Sequence, residues 1–125
     1  MKTIIETKNA PSAIGPYSQA VLFNGVLYTS GQIAIDPKTN ALLETDIQGE
    51  TKMVMNNLSA VLSAAKMNFS HVIKTTIFLK DMDDFQAVNE IYATFFSDNF
   101  PARETVQVAK LPKDVKVEIS MIASL

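Results

Sequence analysis

The run Phe100-Pro101-Ala102-Arg103-Glu104-Thr105, then Leu111-Pro112-Lys113-Asp114 and Glu118, sets an arginine and a glutamate on two strand-prone segments near the end of a 125-residue chain. The chain has no cysteine and one histidine, so these two side chains are its main chemical resource. Strand alternation indicates where they point. Val106 and Val108 share one face of the first segment, and Arg103, Thr105 and Gln107 share the other. Val117, Ile119 and Met121 form the apolar face of the second, which leaves Glu118 and Ser120 opposite. The 110–115 link is short enough for a hairpin, and pairing the valine-rich faces puts Arg103 and Glu118 together on the side away from the core. A guanidinium fixed near a carboxylate suits a pocket for a small anionic substrate. The same spacing also fits an exposed ion pair, which contributes little.

Three further groups join them as candidates. Tyr17 follows Gly15-Pro16, so a constrained loop can hold its ring over a small site, or leave it half-buried with a wet hydroxyl. Ser30-Gly31 ends a strand, and a glycine there lets a backbone N–H approach a ligand closely. Arginine matches a carboxylate with two parallel hydrogen bonds. Other apparatus is excluded. No glycine-rich phosphate loop is present, and one histidine without cysteine cannot build the usual zinc or thiolate site. His71 reads as a surface or interface residue. Asp81, Asp83 and Asp84 lack the rest of a calcium loop and suit helix capping. The lysines, Lys74, Lys80, Lys110 and Lys113 among them, sit in no cofactor context. No metal and no organic cofactor is expected.

The elements that must position these groups follow from periodicity. Asn24-Gly25 between 17–23 and 26–30 is a two-residue hairpin signal. Lys2–Thr7 and Gln32–Ile35 read as short strands. Ile47, Val54, Leu58, Val61, Leu62 and Ala65 recur at helical spacing behind Asp46, an N-cap, giving a helix over about 46–67. A strand over 72–80 follows. Asp81 then caps a second helix with Phe85, Val88, Tyr92, Phe95 and Phe96 on one face. The order β-β-β-α-β-α-β-β implies a single α+β domain, a mixed sheet with both helices on one face. The other sheet face is then bare, lined by Ile73, Thr75, Ile77 and Leu79 or by Val72, Thr76 and Phe78. Either set is apolar enough to favour packing against further copies of the chain.

A chain of this length buries roughly two thirds of its unfolded surface. Its hydrophobic content of 47% and charged content of 19% are those of a globular protein. A net charge of −2 offers no electrostatic attraction to nucleic acid or anionic membranes. No leader or membrane-length apolar run is expected, and the lack of cysteine suits a reducing cytoplasm.

Six ordered blocks carry a resemblance: Ile14-Gly15-Pro16-Tyr17-Ser18-Gln19, Thr29-Ser30-Gly31-Gln32, Lys74-Thr75-Thr76-Ile77-Phe78, Asp84-Phe85-x-x-Val88-Asn89, Pro101-Ala102-Arg103, and Leu111-Pro112-Lys113-Asp114 with Glu118. Across essentially its whole length the chain resembles the RidA/YjgF family of enamine/imine deaminases. The resemblance implies a chorismate-mutase-like α+β fold, related to the ferredoxin-like folds, in a homotrimer whose sheets face inward and whose clefts lie between subunits. It implies that Arg103 binds the substrate carboxylate and Glu118 positions or activates water. Tyr17, Ser30, Gly31, Asn89 and Thr105, the last through its backbone, would line the cleft. Many members carry cysteine where this chain has Thr105, which removes thiol chemistry here. The implied reaction hydrolyses 2-aminoacrylate, 2-iminopropanoate or 2-iminobutanoate, reactive products of pyridoxal-phosphate dehydratases, to 2-oxo acids and ammonia. The alternative from another class is a regulatory protein that binds small 2-oxo acids or a protein partner, as in purine or translation regulation. A carboxylate beside the arginine favours the enzyme, because a sensor of anions has little use for one.

Overall fold

Alternating burial along two long strands and helical burial along one long helix sort the chain into two layers. A computed structural model describes all of residues 1–125. The strands are β1 (Thr3–Ile5), β2 (Ala20–Phe23), β3 (Val26–Thr29), β4 (Ile35–Asp36), β5 (Ala41–Leu42), β6 (Val72–Leu79), β7 (Ala102–Gln107) and β8 (Val117–Ser124). The helices are α1 (Ile47–Ala64) and α2 (Phe85–Ala93). Six strands form one mixed sheet in the order β1-β2-β3-β8-β6-β7, and β4 and β5 form a separate two-stranded ribbon.

Thr75, Ile77 and Leu79 of β6 and Val117, Ile119, Met121 and Ala123 of β8 are buried in a core shared with Val54, Met55, Leu58, Val61 and Leu62 of α1 and Val88 and Tyr92 of α2. This is the expected α+β layering. Asp46 caps α1 by accepting from the Gly49 N–H at 2.8 Å. Asn24 and Gly25 both take positive φ, 51° and 77°, which matches the tight turn between β2 and β3. Asp81 caps a 3₁₀ turn, Met82–Asp84, that leads into α2. Gln32 contributes only an isolated bridge to Ile119, so the strand expected over 32–35 shifts to β4. Phe95 and Phe96 lie beyond the end of α2.

One expectation about topology is corrected. β7 and β8 do not form a hairpin. β7 runs parallel to β6 at the sheet edge, with α2 as the crossover, and β8 pairs antiparallel on the other side of β6. The Val108 N–H donates to the Leu79 carbonyl and the Lys80 N–H to the Lys116 carbonyl, both at 3.0 Å. The end of β6 therefore sits between the two strands, and the 108–116 link passes around it through a 3₁₀ turn at Pro112–Asp114.

The face away from the helices carries Lys74, Thr76 and Phe78 of β6, Ala102, Glu104 and Val106 of β7, Glu118, Ser120 and Ile122 of β8, and Tyr28 of β3, all in register. The bare side is thus close to the second of the two sets offered by the sequence.

Candidate functional site

Glu118 is where alternation on β8 turns outward. It is half-buried, and no group of the chain donates to it or pairs with it. Burial pushes its carboxyl above the usual carboxylate range. Arg103 of the same protomer takes no part in that shift. The loop beside it is pinned by two backbone bonds between Gln32 and Ile119, at 2.8 and 3.1 Å. Gly31 is required there by space: a Cβ at this position would lie 2.7 Å from Glu118 Cδ.

The Ser30 hydroxyl donates to the Ser18 carbonyl at 2.6 Å, and its N–H donates to the Gln19 carbonyl at 2.9 Å. Ser30 therefore ties the Tyr17 loop to the strand end. The Tyr17 hydroxyl accepts from the Ile14 N–H at 3.4 Å, across a turn that Gly15 makes at φ +124°. Tyr17, Ser30, Gly31 and Glu118 converge with Ile14 and Ile33 on one cleft of about 580 Å³. The sequence reading missed Gln19. Its buried amide donates to the Thr7, Ala10 and Pro11 carbonyls and accepts from the Thr7 N–H at 2.7 Å, which fixes the N-terminal wall of the cleft.

Arg103, the only arginine in the chain, belongs to a different surface. It lies in register with buried Thr75 on β6, so it points toward the helix layer. Its guanidinium carbon sits 5.1 Å from the Tyr92 ring centre and 5.6 Å from that of Phe85, both on α2. It makes no ion pair and no side-chain hydrogen bond. Asn89 occupies the same stripe of α2, four residues after Phe85 and three before Tyr92, and is half-buried. Thr105 shares Arg103's face of β7, two residues on, and its hydroxyl is buried without a hydrogen-bond partner.

The structure therefore assembles two half-sites. Tyr17, Ser30, Gly31 and Glu118 form one, and Arg103, Asn89 and Thr105 form the other. Glu118 is in register with Phe78 on the bare face, whereas Arg103 is in register with Thr75 on the helix face. The expectation that both charges share one side is corrected. The cause lies in β7, where Val106 faces the bare side at 41% exposure and Arg103, Thr105 and Gln107 face the helix layer. In the sequence, Phe85 and Tyr92 read only as the apolar face of a helix.

A family model described as endoribonuclease L-PSP matches residues 7–125. The human 2-iminobutanoate/2-iminopropanoate deaminase is 46% identical over 98% of this chain and 90% of its own length. Some other relatives are named only as RutC family proteins or as a regulator. The structure of YyfA, a Rid family protein of Yersinia pestis, superposes with a TM-score of 0.98 at 52% identity, covering 100% of both chains. That of Escherichia coli TdcF with bound serine superposes with a TM-score of 0.94 at 43% identity, covering 98% of both.

Proposed function

The chain belongs to the YjgF/RidA family, whose model is described as endoribonuclease L-PSP, and we propose that it is a hydrolase of small 2-imino acids. The observation that carries this reading is the pair of uncommitted charges: a guanidinium with its N–H groups free, and a desolvated carboxylate with no partner. Because these lie on opposite faces of one sheet, a single protomer cannot bring both to one ligand. Two copies can, if the bare face of each packs in a closed ring so that the Arg103 half-site of one meets the Glu118 half-site of the next. A homotrimer with three such clefts satisfies both halves.

In that cleft Arg103 holds the substrate carboxylate through two parallel hydrogen bonds and fixes the C=N carbon near Glu118. Glu118 takes a proton from water as the oxygen adds to that carbon. The carbinolamine nitrogen receives that proton, and as ammonia leaves the hydroxyl gives its own proton back to Glu118, leaving the 2-oxo acid. Each imine and each water thus yield one oxo acid and one ammonia. A carboxyl raised by burial is a stronger base, and proton transfer of this kind contributes about 10²–10⁴-fold. The human relative's name supports this substrate class, and the serine bound to TdcF supports a site for a small amino-acid skeleton. RNA cleavage finds less support, because the net charge is −2 and the one histidine accepts from the Asn68 N–H at 3.0 Å in a capping turn.

The test couples a threonine dehydratase to an amine that traps the released imine. Added protein is expected to lower the trapped product and speed 2-oxobutanoate formation. Unchanged trapping at micromolar protein would remove this reading for these substrates.

A further inference from the structure

If Arg103 clamps the substrate carboxylate, as the deaminase reading has it, something must aim it. A half-buried arginine ordinarily settles against an acid or a carbonyl. Arg103 does neither. Two ring faces hold it instead, at 5.1 and 5.6 Å, and a ring face attracts a cation without consuming any N–H donor. The five donors of the fork are left for a ligand.

The Tyr92 ring is itself held. It is buried, and its hydroxyl shares a hydrogen bond with the Thr75 hydroxyl at 2.9 Å. Thr75 is fully buried and is also the register partner of Arg103 on the adjacent strand. Strand, ring and guanidinium therefore form a closed triangle, in which β6 sets the ring and the ring sets the cation. Desolvation raises the Tyr92 hydroxyl's pKa despite the Thr75 bond and the Arg103 charge, so the hydroxyl keeps its proton at neutral pH. Phe85 stands seven residues before Tyr92, two helical turns away on the same stripe, and supplies the second plate.

Resting on that reading of Arg103, we infer that Tyr92, braced by Thr75, and Phe85 are positioning residues that hold the fork at a fixed angle with its N–H edge free for the substrate carboxylate. They act through Arg103 and take no part in proton transfer. Their loss is expected to weaken binding and to leave the chemical step intact.

Because the chain has one arginine, a ¹⁵N-labelled sample gives a single arginine Nε–Hε signal that needs no assignment. In the free wild-type protein its order parameter is expected near that of rigid backbone, about 0.85, and in Phe85→Leu below about 0.6. Tyr92→Phe keeps the ring and removes the brace, and is expected to loosen the signal to a smaller extent. Phe85 is 38% exposed, so its replacement leaves the core in place and decides the matter even if the Tyr92 variant folds poorly. Phe85→Leu is expected to raise KM for the imino acid about three- to tenfold with kcat unchanged, and Phe85→Trp to restore it. An arginine signal already mobile in the wild type, or equally ordered in both variants, would overturn the inference. A fall in kcat with KM unchanged would also overturn it. Failure of the wild type to hydrolyse imines would remove the deaminase reading, while the Nε–Hε signal still decides how the fork is held.

Discussion

Besides the Arg103 fork, two side chains in this protein are free where proteins rarely leave groups free. Glu118 has no donor, and its pKa is raised by burial alone. A carboxyl whose pKa is higher folded than unfolded binds its proton more tightly when folded. Its neutral form is favoured at low pH, and that advantage is lost as pH rises from the ordinary carboxylate range through the raised value. Glu118→Gln, neutral throughout, is therefore expected to have a higher Tm than wild type at about pH 7, with the gap closing toward about pH 4. The same variant is expected to bind 2-oxobutanoate and to lose turnover by about 10²-fold or more. Near-normal turnover would remove Glu118 from the chemistry. The Thr105 hydroxyl is the other orphan. Thr105→Val removes a buried, unsatisfied polar group at constant shape and is expected to stabilise by about 1 kcal/mol in urea denaturation, with the fold unchanged. A loss of stability would mean that the hydroxyl has a partner in the assembled protein.

At the scale of elements, the site depends on how closely a loop can approach a strand. The 30–33 segment lies against β8 so tightly that any side chain at position 31 would meet the Glu118 carboxylate. Gly31→Ala is expected to displace that carboxylate and lower kcat about tenfold or more, with KM less affected, since alanine reaches Glu118 and not Arg103. Activity equal to wild type would show that the contact is not tight in solution. Much of this arrangement is legible in the sequence. Asn24-Gly25, Asp46 and the apolar stripe of α1 are local signals, and local signals fix local elements. Tyr17, Ser30, Gly31 and Glu118, named together from the sequence, lie around one cleft. What sequence could not supply is the partner of β7. A short link between two strands invites a hairpin, yet the parallel crossover through α2 places β6 between them, and parity then carries Arg103 to the other face. Valine reads as core, but Val106 lies on the bare face of the sheet at 41% exposure.

That surface is the property of the whole molecule. Tyr28 at 48% exposure and Val106 at 41% flank a polar row in which Glu104 accepts from Thr76 and pairs with Lys74 at 3.0 Å. The Thr76 hydrogen bond, and then Lys74, hold the Glu104 carboxyl below the usual range, so the row presents a satisfied ion pair rather than a bare charge. Another copy can cover the Lys74–Glu104 pair without breaking it, whereas Glu118 on the same face has no partner within the protomer. Val106→Lys replaces an apolar side chain of that face with a long charged one and is expected to yield monomers in sedimentation, with imine hydrolysis lost alongside assembly. A monomer that retained turnover would contradict a shared cleft. The most direct measurement co-expresses Arg103→Ala and Glu118→Gln chains, each inactive alone. If every cleft takes its arginine from one protomer and its glutamate from the next, random mixing restores about a quarter of the clefts, and about a quarter of wild-type turnover is expected. Mixed assemblies no more active than their parents would contradict the account.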